Sequence, residues 1–147
     1  MITRIYEKEY VTLDYDSSVP CVISTSLKFM MLEEFKSQLN FGLEFMKEKI
    51  KETGRMMWLP DTTLAGGVDD ESIKYAIEDW TPRAIAAGIK HVGFVISESE
   101  WANVATEVYG ESVKGSGEKE GMTTSFFRDV ETAKNWFRNM SSSTSFA

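Results

Sequence analysis

Met56-Met57-Trp58-Leu59, followed by Pro60-Asp61-Thr62-Thr63, decides the fold class. Four consecutive apolar residues without polar alternation suit a strand buried on both faces. Such strands sit at the centre of parallel sheets covered by helices. Pro60 and Asp61 are expected to stop this strand, since proline brings no N–H to the ladder. The clearest helix precedes it. Leu32, Phe35, Leu39, Leu43, Met46 and Ile50 recur at steps of three and four, one face of a helix, and Phe41 and Phe45 widen that face. Glu33/Lys36, Glu44/Lys47 and Glu48/Lys51 form opposite-charge pairs on the wet side, and Gly54 stands where a C′ glycine ends a helix.

Downstream, residues 62–68 read as a loop, and Asp69 is an N-cap followed by Asp70 and Glu71 at the positive end of a helix dipole. Ile73, Ile77, Trp80, Ala84 and Ala87 continue that helix to Gly88. Pro82 predicts a kink, or a restart with Thr81 as cap. His91–Ile96 is a second buried strand. Ser97 and Ser99 cap a short helix from about Glu100 to Tyr109, residues 110–121 form a glycine-rich loop, and Met122–Phe127 is the last strand. Asp129 caps a final helix with Val130, Ala133, Phe137 and Met140 inside. Upstream, Val11, Leu13 and Tyr15 alternate with polar residues, Asp16-Ser17-Ser18 has turn chemistry, and Val19–Thr25 is β-rich, which predicts an antiparallel hairpin. Ile2–Tyr6 extends the first strand or adds a short one.

The expected order is therefore β-β-α-β-α-β-α-β-α. It describes one α/β domain over residues 1–140, a mixed four- to five-stranded sheet with an N-terminal β-hairpin and about four helices, then a flexible Ser-rich tail over 141–147. The length of 147 residues suits a single domain that needs no disulfide or metal staple. The net charge of −7 repels phosphate backbones and anionic lipids, which argues against nucleic-acid and membrane partners. One cysteine, a charged N-terminal segment and no long apolar run make the cytoplasm the default location.

Several pieces carry a family resemblance: Trp58-Leu59-Pro60-Asp61-Thr62, Glu78-Asp79-Trp80-Thr81-Pro82-Arg83, Ala87-Gly88-Ile89-Lys90-His91-Val92, and Phe127-Arg128-Asp129-Val130-Glu131-Thr132-Ala133-Lys134-Asn135-Trp136-Phe137. In their order and spacing the chain resembles the STAS/SpoIIAA-like fold family, in particular its small bacterial SpoIIAA-like (STAS/SEC14-type) branch. The resemblance implies a regulatory domain. In the anti-sigma antagonist branch a serine at the start of the second helix, within an Asp-Ser-Ser/Thr-Gly motif, is phosphorylated. Here the matching region is Val68-Asp69-Asp70-Glu71-Ser72, which lacks the motif and sets three carboxylates before Ser72.

No catalytic set emerges. His91 is the only histidine and Cys21 the only cysteine, too few for a zinc site. A Ser-His or Cys-His pair needs a histidine base, but His91 starts a strand at the end expected to lie opposite Asp61 and Cys21 sits in an apolar strand, so both read as structural. No cofactor and no metal is expected, because Asp69-Asp70-Glu71 is explained by capping. Asp61 ends a central strand, where open α/β sheets place ligands, with Thr62 and Thr63 as hydrogen-bonding neighbours; the alternative is a turn residue bonding its own backbone. Asp61, Thr62, Thr63, Asp69, Ser72, Ser97 and Trp101 form the candidate ligand or partner surface. Met30-Met31 and Phe41/Phe45 offer a face for a groove or homodimer, with core packing the alternative. The leading expectation is a non-enzymatic regulatory or protein-interaction domain. The second is a small-molecule or lipid carrier of SEC14-like type, which predicts an apolar cavity between helices and sheet. The third is a phospho-receiver or enzyme using Asp61, with Asp14 and Asp16 as an acidic pair.

Overall fold

The computed structural model describes residues 2–64, 69–97 and 122–145, with side chains as far as Met140. Six strands form one mixed sheet in chain order: β1 (Ile2–Glu7), β2 (Val11–Asp16), β3 (Cys21–Ser26), β4 (Met57–Asp61), β5 (His91–Val95) and β6 (Thr123–Phe127). β1, β2 and β3 are antiparallel, and β3 through β6 run parallel. Helix α1 spans Leu32–Thr53. Helix α2 has three consecutive pieces, Asp70–Tyr75, a π-helical turn Ala76–Trp80, and Thr81–Ala86. Helix α3 spans Val130–Ser145.

The class and the mixed sheet are as expected, but the counts differ. The sheet has six strands rather than four or five, because Ile2–Glu7 forms its own edge strand, paired from Ile2↔Asp16 to Glu7↔Thr12 with an irregularity between Arg4 and Tyr6. Most of β1 is exposed, so it lacks the apolar alternation by which a strand is recognised. Three helices, not four, lie among the described residues. The helix expected over Glu100–Tyr109 lies outside them. The backbone of α3 continues through Ser145, past Met140 where the pattern of apolar residues ends.

Strand alternation divides the interior into two layers. On one face Val11, Leu13, Val22, Trp58 and Val92 meet Leu39, Leu43 and Met46 of α1 and Trp80 and Ala84 of α2. On the other, Cys21, Ile23, Met57, Leu59 and Val95 meet Ala133 and Phe137 of α3. The apolar run at 56–59 is explained by this division, since its alternate residues enter opposite cores. The outward side of α1 carries the expected ion pairs, Lys36–Glu33 at 3.7 Å and Lys47–Glu44 and Lys51–Glu48 at 3.3 Å.

Pro60 and Pro82 are both accommodated within their elements. β4 does not stop at Pro60 but runs on to Asp61. Pro60 lies opposite Ser24 of β3, while pairing with β5 skips Leu59 and Pro60 and resumes at Asp61↔Val95. The missing N–H removes a rung without ending the strand, and the Thr62 N–H then donates to the Val95 carbonyl at 2.9 Å. Pro82 lies in the first turn of the third piece of α2, directly after the π-helical turn, but Thr81 is not its cap. Thr81 is helical (φ −59°, ψ −46°), and its N–H reaches the Ala76 carbonyl five residues back. The Thr81 hydroxyl donates to the same carbonyl at 2.7 Å. A π turn just before a proline relieves the crowding that its ring imposes on the preceding turn. Gly54 ends α1 as expected, at φ +82°, its N–H donating to Ile50 O at 2.8 Å.

Candidate functional site

The face covered by α1 and α2 is not filled. Near the carboxyl ends of the parallel strands a cavity of about 70 Å³ remains. A single water needs about 10–15 Å³ of such space, so the cavity exceeds what one or two waters occupy. Its floor is set by register: Ser24 and Ser26 on β3, Trp58 and Pro60 on β4, Val92 and Phe94 on β5, and Thr124 on β6. Helix α1 adds Phe35, Gln38 and Leu39. Helix α2 adds Ile73, Ala76, Ile77, Trp80 and Thr81, four of them within or next to the π turn.

The walls are fixed by specific bonds. Trp80 Nε1 donates to the Leu39 carbonyl at 2.9 Å, and the Trp80 ring lies 5.5 Å from Trp58. The buried Ser24 hydroxyl donates to Gln38 Oε1 at 2.8 Å. Asn40, Tyr75 and Arg83 clamp α1 to α2. Tyr75 Oη accepts from Asn40 Nδ2 and from the Arg83 guanidinium at 3.0 Å each, and Arg83 also donates to Asn40 Oδ1 at 2.8 Å. Among the described residues no ionisable side chain lines the cavity; its polar side chains are hydroxyls, one amide and the indoles of Trp58 and Trp80.

The expected site residues are dispersed. Thr62 lines the cavity, its hydroxyl donating to Val95 O at 3.3 Å. Asp61 has the side-chain direction of Met57 and Leu59, toward the opposite layer. Its Oδ1 accepts from the Thr63 N–H at 3.0 Å and the Thr63 hydroxyl at 2.7 Å, so Asp61 and Thr63 form a closed turn. Asp69 is the N-cap of α2, accepting from the Ser72 N–H at 3.0 Å. Ser72 is 1% exposed, so its hydroxyl is not presented at the surface. Ser97 is half-buried just past β5, and Trp101 lies outside the described residues. Asp14 and Asp16 are not gathered with Asp61. Asp16 pairs with Cys21 at the start of β3, whereas Asp61 pairs with Thr25. Four residues of strand, about 13 Å, separate those levels. Asp14 is held by Arg4 at 2.6 Å.

The single histidine and the single cysteine both lie on sheet strands, away from the cavity. His91 begins β5 at the end away from Asp61, edge-on to Trp136 and Phe137. Burial lowers its pKa, helped by the charges of Arg55 and Lys90. Burial pushes the Cys21 thiol up to about 12, reinforced by Asp16. Among the described residues no cluster of three His, Cys, Asp or Glu could hold a metal ion, and no helix is long and apolar enough to cross a membrane. Of the expected apolar face, Met30 is buried, Phe41 packs on Tyr6 at 4.8 Å between centroids and Phe45 on Tyr15 at 5.1 Å.

Gln38, Ser24, Ser26 and Thr124 were not among the expected site residues. A signal for Gln38 exists: it stands three residues after Phe35 and beside Leu39, a polar residue within an apolar stripe. Compared with known proteins, the chain matches no family model, no curated protein and no solved structure.

Proposed function

We propose that this protein is a non-enzymatic domain that binds a small, uncharged, largely apolar molecule between α1, α2 and the sheet. The observation that carries the reading is the cavity itself: aromatic and aliphatic walls, a few hydroxyls and an amide, and no ionisable lining group among the described residues. Sites for small molecules have this composition, with a few placed polar groups in an apolar enclosure. Of the functions open from sequence, the carrier reading requires such a space and the others do not. A STAS/SpoIIAA-like origin with SEC14-type ligand carriage fits this proposal, and rests on the sequence pieces quoted above.

Native mass spectrometry of freshly purified protein tests it. The expected result is a fraction of molecules heavier than the apo chain by a small neutral metabolite that solvent extraction releases. A clean apo mass, together with no change in Trp58 or Trp80 fluorescence across a panel of uncharged hydrophobic compounds, overturns it.

A regulatory role is a second reading, favoured by one observation. Leu27, Phe29 and Met31, after β3, and Leu64, after β4, are between 39% and 68% exposed. These segments leave the sheet at the level of the Thr25↔Asp61 pair, the end that holds the cavity. A partner docking there would be placed to sense whether the cavity is filled. Loss of partner binding in Phe29→Ser with ligand affinity unchanged is the expected result, and equal partner binding by the variant opposes it.

A further inference from the structure

We infer that the ligand is an uncharged aromatic molecule with a hydrogen-bonding edge, and that Gln38 is the residue that reads this edge. The inference rests on the ligand-binding reading above and specifies its chemistry. Gln38 is 2% exposed and occupies a core position on α1. A leucine there would satisfy packing without burying an amide, and an incompletely bonded buried amide costs about 1–3 kcal/mol. Apolar packing therefore does not by itself account for an amide at this position.

Its bonding is incomplete in a specific way. A carboxamide has a donor end and an acceptor end. The one hydrogen bond to the Gln38 side chain among the described residues comes from the Ser24 hydroxyl, at 2.8 Å to Oε1. Exchanging the amide oxygen and nitrogen would make Ser24 the acceptor instead. In either orientation one end of the amide has no protein partner, and the residue lines the cavity. Ser26, 6% exposed, lies two residues along the same face of β3, and its hydroxyl makes no hydrogen bond among the described residues. Gln38, Ser24 and Ser26 thus gather unused hydrogen-bonding capacity on the β3 side.

The rest of the cavity supplies the complement. Trp58, Trp80, Phe94 and Phe35 give it aromatic walls. Aromatic rings in such a setting favour offset or edge-on contact with another ring. Thr124 marks the far side on β6, three strand spacings or about 14 Å from β3. An anion or cation would lose its hydration with no counter-charge among the lining residues. A ring in the apolar middle with an amide, lactam or phenol edge toward Gln38 uses the aromatic walls and the hydrogen-bonding groups on the β3 side.

Three probes of nearly equal size test this on the full chain: benzamide, benzoate and toluene. Binding is followed by the Trp58 and Trp80 indole signals and the Gln38 side-chain amide in heteronuclear NMR. Benzamide is expected to shift all three and to bind at least about tenfold more tightly than benzoate, because benzoate must bury its charge. Gln38→Leu is expected to weaken benzamide by about 3- to 10-fold, the worth of one neutral hydrogen bond, and to leave toluene unchanged or tighter. Should Gln38→Leu not fold, Gln38→Met keeps the length and serves in its place. Equal affinity for benzamide and toluene, or no effect of removing the amide, overturns the inference while leaving an apolar ligand site in place. Preference for benzoate overturns the claim of an uncharged ligand. Failure of all three probes to move either cavity indole overturns the ligand-binding reading as well.

Discussion

Lys134 Nζ lies 2.7 Å from Asp16 Oδ2, and both side chains are only 5% exposed. The pair joins α3 to the end of β2, beside the turn into β3. The other Asp16 oxygen accepts from the Ser18 N–H at 3.0 Å and the Ser18 hydroxyl at 2.7 Å. Burial raises the Asp16 pKa, but the hydrogen bonds from Lys134 and Ser18 and the charge of Lys134 outweigh it, and the group titrates at about 2. Removing one partner of such a pair leaves a buried charge, so Lys134→Met should destabilise the fold by about 3–5 kcal/mol. The double variant Asp16→Asn/Lys134→Met should recover most of this loss. Urea unfolding checks both, and a single variant as stable as the parent would refute the account.

The same pair sets the response to acid. Because the folded pKa of Asp16 lies below its ordinary 3.8, the unfolded chain binds the proton first. Its contribution is present above about pH 4 and is lost as the pH falls through about 2, an amount near 2 kcal/mol. Urea midpoints at pH 5, 3 and 2 should therefore fall more steeply in the parent than in the double variant. Parallel pH profiles would show that Asp16 does not govern this range.

Arg55 fixes a second junction. Its guanidinium donates to Val19 O at 3.0 Å and to Phe137 O at 2.8 Å, and stacks on the Phe137 ring with Cζ 3.6 Å from the centroid. One side chain thereby ties the α1–β4 link to the β2–β3 connection and to α3. Lysine keeps the charge but has neither the planar fork nor the stacking surface. Arg55→Lys should cost about 1–3 kcal/mol, from one lost charge-assisted hydrogen bond and the ring contact. An unchanged denaturation midpoint would mean that charge alone suffices.

These junctions explain what the sequence reveals and what it hides. Helix α1, the hairpin β2–β3 and the buried strands β4 and β5 have strong periodicity or continuous apolar character, and all stand where the pattern places them. β1 is an exposed edge with little pattern, and the π turn answers a proline through a carbonyl five residues earlier, beyond any local cap signal. Thr62 was legible because it follows a central strand. Asp61 follows the same rule but points into the other layer, so position along a strand fixes the end of the sheet, not the face. Ser24, Ser26 and Thr124 are ordinary strand residues in sequence. They come together only through a register over four strands, which no local spacing records.

Cys21 sits within the layer under α3, fully buried, its thiol pushed up to about 12. Both the thiolate and access to it are lacking at neutral pH. An aromatic disulfide reagent should modify the native protein only as fast as the fold opens, with full reactivity in denaturant. Rapid modification without denaturant, at a rate independent of stability, would contradict the packing described for β3.

Gly42 connects stability to the cavity. A Cβ built there would meet the Trp58 ring, 2.8 Å from Cη2 and closer still to Cζ3. Alanine would favour the helix by about 1 kcal/mol over glycine. Relief of the clash requires α1 to lift or the indole to move, and overpacking of this kind costs about 1–3 kcal/mol. Trp58 touches Trp80, which is anchored to Leu39, so the ring has little room to turn away from the helix. Gly42→Ala should therefore be less stable than the parent by up to about 2 kcal/mol. Trp58 is also part of the cavity floor. The displaced ring should weaken binding of toluene and benzamide alike, unlike Gln38→Leu, which weakens benzamide alone. Gly54→Ala is the matched control: it meets no atom within 4 Å but carries the strain of φ +82°. It should lose stability without altering either affinity, and a binding change equal to that of Gly42→Ala would show that lowered stability, not the position of Trp58, is what the probes detect.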